Sequence, residues 1–176
     1  VEAGDNASVV AWGNTFIRLF SAIKITAGAH VMIAAHGSAK EITGGLLTTC
    51  PAPVTSAEWC DLHGVHIAGG VAILFKAVGP DWRSLHGMSY APGTQPEAPD
   101  WDGGKQECGG GLHFSPTPLH AYAFRSQQDT RFVGCPVKVA DIVVHKDAKY
   151  PAKVKAPRVC GPCFAVDRSG KPIKGE

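Results

Sequence analysis

The densest chemical signal in the chain is Cys108-Gly109-Gly110-Gly111-Leu112-His113-Phe114-Ser115-Pro116, which leads into a segment carrying His120, Tyr122 and Phe124. Three consecutive glycines let a ligand or another stretch of backbone approach without a Cβ in the way. In an extended strand His113 and Ser115 share one face, while Phe114 points to the other. A serine at a helix start aims backbone N–H groups at a nearby anion. Lys76 lies in the apolar run Val71–Val78, and His86 and Tyr90 follow in a loop-rich stretch. Together Lys76, His86, Tyr90, His113 and Ser115 are the candidate catalytic set, with Gly109, Gly110 and Gly111 as the candidate cofactor cradle. A dinucleotide needs this combination of close backbone, phosphate donors and an imidazole or aromatic face. The competing reading makes the glycines a structural turn and His113 a core histidine bonded to backbone.

Sulfur forms the second constellation. Cys160-Gly161-Pro162-Cys163 has the spacing of a zinc knuckle or a redox pair. No βα unit follows it, which argues against a thioredoxin setting. Cys108 and Cys135 would complete a four-sulfur zinc site; free thiols or disulfides are the alternative. Cys60, His63 and His66, with Cys50, could form a smaller zinc clasp.

These residues need elements to hold them. Cut every eight residues, the start of the chain aligns Val1, Val9, Ile17, Ile25 and Ile33 in one column. Ala3, Ala11, Leu19, Ala27 and Ala35 fall in a second, and Ala7, Thr15, Ile23, Val31 and Ala39 in a third. Apolar residues two apart suit a strand with one buried face, and the Gly, Asp, Asn and Ser between them suit corners. The repeat predicts the end of a β-solenoid over residues 1–45, with two units per coil and columns stacked between coils. Val1 falls inside a repeat and no initiator Met is present, so the chain is expected to be a piece of a longer protein.

A compact α+β domain is expected over 46–176, with Cys50-Pro51-Ala52-Pro53 as linker or cap. Its order is a strand at 71–78, a helical turn from Pro80, loops from Met88 to Gly111 and a strand at 112–114. A helix at 119–124 capped by Ser115 comes next, then strands at 132–139, at 140–144 and near Val154 or Phe164. The fold class is therefore mainly β with α+β, a short β-solenoid end followed by a compact α+β domain.

Two resemblances sharpen this. The units VEAGDNASVVAWGN resemble the tandem octapeptides of actinobacterial and actinophage proteins, in which an uncharacterised phage-type domain often follows the repeat. The strand Leu74-Phe75-Lys76-Ala77, taken with Phe114-Ser115 and the helix after it, resembles the ADP-ribosyltransferase core. That resemblance implies NAD binding and places Lys76 where the family carries Arg or His. It also implies a late catalytic Glu, yet no Glu follows Glu107 until Glu176, which leaves Asp141 or Asp167 for the role. A non-catalytic binding or virion-associated module is the alternative.

Composition narrows the partners. A net charge of +2 does not indicate nucleic acid, and no apolar run is long enough for a membrane helix. Lys146, Lys149, Lys153, Lys155 and Arg158 read as a solvated basic face. The expected partners are upstream repeats of the same protein and a protein or nucleotide ligand, in a soluble cytoplasmic or virion-associated setting.

Overall fold

The computed structural model describes residues 8–19, 23–36, 41–145 and 148–173. Among the described residues the fold is mainly β with two short helices, and none of their helices is long and apolar enough to cross a membrane. The chain divides into two units, 1–52 with 149–151, and 53–148 with 152–176.

The described residues of the first unit form the strands β1 (Ser8–Ala11), β2 (Phe16–Leu19), β3 (Lys24–Ala27), β4 (Met32–Ala35), β5 (Glu41–Thr43) and β6 (Leu46–Thr49). Odd strands form one parallel sheet in the order β1-β3-β5, and even strands form another in the order β2-β4-β6. The pairing puts Val9 opposite Ile25, Ile25 opposite Ile42, and Ile17 opposite Ile33. Ile25, Val31 and Ile33 are completely buried, with Val9, Ala11, Ile17 and Ile42 packed against them. Strand β6 continues beyond the octapeptide spacing because Gly44 and Gly45 absorb the change of phase. Both take positive φ, and a Cβ on Gly44 would collide with the Ala27 carbonyl.

The second unit opens with α1 (Ser56–Leu62), whose N-terminus is closed by a capping box. Thr55 Oγ1 accepts from Glu58 N at 3.2 Å, and Glu58 Oε2 accepts from Thr55 N at 3.0 Å. The helix buries Trp59 and Cys60 completely. The strands β7 (Ile67–Ala68), β8 (Val71–Val78), β9 (Leu112–Phe114), β10 (Arg131–Lys138), β11 (Val154–Ala156) and β12 (Phe164–Val166) surround α2 (Pro118–Tyr122) and a 3-10 turn (Val139–Asp141). One sheet runs β12-β10-β8-β7, all antiparallel, and β9 pairs with β11. Phe75 and Ser115 link the two sheets through reciprocal backbone hydrogen bonds of 2.9 Å each. The core gathers Trp59, Leu74, Tyr90, Phe114, Val133 and Val137 between these layers.

Three expected elements differ. Pro80 to His86 forms turns and no helix. The strand expected at 140–144 is the 3-10 turn followed by a single bridge at Val143. Ser115 is the bridge to Phe75, so α2 is capped two residues later by Thr117, with Pro118 in its first turn.

Ile25→Asp should destabilise the first unit by at least ~3 kcal/mol, because the site offers a carboxylate neither water nor a cation. Urea unfolding or amide exchange over residues 24–35 measures the loss.

Candidate functional site

Strand β8 decides the site. Its side chains alternate, so that Ala72, Leu74 and Val78 enter the core and Lys76 stands between the last two on the same face. Beside it a cavity of about 280 Å³ opens within the second unit. Lys76, His86, Cys108, His113, Ser115 and Lys153 all contribute to its wall. Phe75, Phe114 and Phe124 supply apolar surface, and Arg125 stands at the α2 end.

Four of the five candidate catalytic residues, Lys76, His86, His113 and Ser115, line this one concave surface. Tyr90 is not on it. Its side chain is 1% exposed, edge-on to Phe114 at 6.4 Å, with Lys76 Nζ 5.6 Å from its ring. It is part of the floor beneath the lysine. The glycine cradle also differs. Gly109 packs on the Asp102 carboxylate, Gly110 on the Asp100 carbonyl and Gly111 on the Trp101 ring, and none of the three lines the cavity. Their missing Cβ atoms let the loop 100–111 fold onto itself, so the close approach that glycine permits is made by the chain's own backbone.

Electrostatics sets the chemical character of the cavity. Lys76 Nζ donates to His113 O at 2.9 Å. Burial pushes its pKa down to about 8, with Lys153 adding to the effect and Cys135 opposing it. His113 is pushed down to about 4, first by burial and then by Lys76, Lys153 and Lys155. Its Nε2 faces Glu107 O at 3.1 Å; a carbonyl only accepts, so this nitrogen carries the proton and Nδ1 does not. Lys153 Nζ donates to Cys108 Sγ at 2.9 Å. Lys155 lies directly opposite His113 in the β9–β11 pair and is completely buried. It reaches Asp102 Oδ1 at 2.7 Å and Gln106 O at 2.8 Å, tying the glycine loop to β11. Asp102 is held below the usual carboxylate range, chiefly by that bond.

Lys153 and Lys155 therefore correct the reading of a solvated basic face. At 7% and 0% exposure they are interior residues, whereas Arg158 is exposed and near Glu97. Lys146 lies outside the described residues. The signal was available: both lysines are interleaved with Ala152, Val154 and Ala156, an alternation that belongs to a strand and not to a tail.

The sulfur constellation disperses. Cys135 and Cys163 approach to 3.7 Å between their Sγ atoms, both buried, whereas Cys108 is exposed and bonded to Lys153. Among the described residues no group of three or more His, Cys, Asp or Glu side chains is placed to hold a metal ion. The four-sulfur zinc site of Cys108, Cys135, Cys160 and Cys163 is thus not assembled. Of the smaller clasp, Cys60 is sealed in the core and burial raises its thiol pKa. His63 stacks against Trp59 at 4.7 Å. The carboxylates expected to replace a late Glu are also elsewhere. Asp141 is in the 3-10 turn, and Asp167 closes a turn by accepting from Ser169 and Lys171. Neither lines the cavity.

Residues 72–156 match the model of a family described only as a domain of unknown function (DUF7666). That span runs from β8 through β11 and includes every residue lining the cavity. No curated protein and no solved structure matches the chain.

The His113 shift carries a pH dependence. Its folded pKa lies below the unfolded value, so its contribution to stability is complete above about pH 6.5 and is lost as pH falls through about 4. Between those values the unfolded chain binds a proton that the folded one refuses. Denaturant midpoints measured from pH 7 to 4 should fall for the native protein, and His113→Asn should flatten that part of the profile.

Proposed function

We propose that the second unit binds a phosphate-bearing ligand of the nucleotide class, NAD among them, and that it does so without transferring ribose. The carrying observation is the charge of the wall. Lys76, Lys153 and Arg125 contribute cations, Arg125 paired with Asp129 at 2.9 Å, and among the described residues none that lines the cavity is a carboxylate. A cation in a half-enclosed site attracts an anion more strongly than the same cation in water. Phe75, Phe114 and Phe124 offer apolar and aromatic surface for a base or nicotinamide ring. At about 280 Å³ the cavity lies just under the ~300–1,000 Å³ typical of drug-sized ligands. It suits one nucleotide-sized part of a dinucleotide, with the remainder outside.

Binding is favoured over glycosyl transfer because an oxocarbenium-like centre needs a facing negative charge. The resemblance to ADP-ribosyltransferases supplies that charge through a late Glu, and Asp141 and Asp167 do not stand in for it at the cavity. We further propose that the first unit is the end of a β-solenoid, so that this ligand-binding unit follows a repetitive stalk in the chain. The alternation of strands between two parallel sheets, with Ile17 on Ile33 and Val9 on Ile25, supports that architecture. Upstream repeats of the same protein would then stack on β1 and β2.

Calorimetric titration with NAD, ADP and inorganic phosphate tests the binding reading. Heat is expected for NAD and ADP. Lys153→Ala should weaken both by roughly 10–100-fold, the range of a lost charge-assisted hydrogen bond. His113→Ala should weaken NAD more than phosphate if the imidazole faces the base. Absence of heat with all three at millimolar concentration would discard the reading, and release of nicotinamide from NAD would restore the transferase.

A further inference from the structure

We propose that Lys76 is a nucleophilic amine that forms an imine with a phosphate-bearing aldehyde or ketone held in the cavity, such as the open-chain form of a sugar phosphate or of ADP-ribose. The inference rests on the anion-binding reading and specifies the ligand's chemistry.

The position of Lys76 is unusual for a lysine. It occupies a core-facing register of the central strand, flanked on that face by the fully buried Leu74 and Val78. A lysine kept there for structure would be expected to meet a carboxylate, since a buried charge is otherwise costly. Among the described residues the titratable groups that face it are Tyr90 from below, His113 on β9, Cys135 on β10 and Lys153 ahead of β11. None of these is a carboxylate, and Lys153 repels it. Its polar contact is one backbone carbonyl, His113 O at 2.9 Å, and its side chain reaches the cavity wall. This is the environment that turns an ammonium into a usable amine.

The populations favour reaction. With a pKa of about 8, roughly a quarter of Lys76 is neutral at pH 7.5, against ~0.1% of an ordinary lysine. The step is self-balanced. The amine lone pair attacks the carbonyl carbon, forming C–N while the C=O π electrons move to oxygen. One amine proton passes to that oxygen, giving a carbinolamine. Loss of water, which takes the second amine proton, then leaves C=N. One amine and one carbonyl yield one imine and one water, with no oxidant or reductant. His113, neutral with Nδ1 unprotonated, lies on the adjoining wall where those protons move. Lys153 and Arg125 supply the charge that would retain a phosphate beside the reacting carbonyl.

The test uses the whole 176-residue chain with two probes, pyridoxal 5′-phosphate and pyridoxal. Borohydride reduces any imine to a stable secondary amine, and peptide mapping locates it. Lys76 should be labelled ahead of the exposed Lys105, Lys138 and Lys171, at least tenfold faster with the phosphate than without it. Its labelling rate should rise with pH and level off above about 8. Lys76→Met should lose the label, although the wild-type map alone decides the matter if that variant folds poorly. Labelling spread over surface lysines, with Lys76 blank while ADP still gives binding heat, would overturn the imine and leave the binding reading intact. A blank Lys76 with no heat from ADP or phosphate would remove both.

Discussion

The eight-residue antiparallel ladder between β8 and β10 fixes nearly everything else in the second unit. It runs from Arg131 opposite Val78 to Lys138 opposite Val71, with no bulge to change which side chains face which layer. Because the period of a strand is two, this register determines that Leu74, Lys76 and Val78 share a face. A slip of one residue would exchange the two faces, putting Lys76 on the side that packs against Ala121 of α2 and carrying Phe75 and Ala77 to the side of Leu74 and Val78. The ladder is locked on its far side by β12, where Phe164 lies across Gly134; a Cβ at 134 would strike that ring. On its near side Ser115 binds Phe75 and draws β9 alongside. Lys76 is inward, and His113 is beside it, as consequences of pairing, and the bond from Lys76 Nζ to His113 O then joins them.

Two inward lysines, Lys155 on β11 and Lys76 on β8, show how differently one residue type can be accommodated. Lys155 ends in a carboxylate and a carbonyl, and the loop that carries Asp102 is shaped by that bond. Lys76, the sixth of the eight residues of β8, ends on a carbonyl and above an aromatic ring. The first is a tether whose charge is matched. The second keeps its charge at a cost, and its pKa records that cost.

Much of this was legible in the chain. Strands β8, β9, β10 and β12 each appear as short apolar or alternating runs, and the convergence of Lys76, His113 and Ser115 follows from alternation once β8 and β9 are neighbours. The octapeptide columns identify which residues of β1 to β4 face inward. What escaped has physical causes. The Thr55-x-x-Glu58 capping box marks the start of α1, but the helix is only seven residues long and follows directly on linker-like prolines, too short for a helical period to show. The glycine triplet could not be told apart from a ligand cradle, because a Cβ is excluded equally well by a ligand and by Asp100 or Trp101. Cys108, Cys135, Cys160 and Cys163 have metal-like spacing, yet spacing alone does not reveal that Cys108 is turned toward Lys153 while Cys135 faces Cys163 across β10 and β12. Tyr90 lay in a loop, where only the folded chain could show its ring sealed under a lysine.

The depth at which the cavity's cations sit separates two time scales. Charges near an opening exchange their field with dissolved ions over roughly 8–10 Å at physiological salt, whereas a charge walled in by side chains is screened far less. Arg125 is enclosed as Lys153 is, with 9% of its side chain exposed, and only its partner Asp129 reaches the solvent. Lys76 is walled in beside them. For an anion using this cavity, ionic strength would act mainly on the frequency of arrival, through the field outside the opening. The lifetime of the bound state would be governed by these enclosed cations and would be comparatively indifferent to salt.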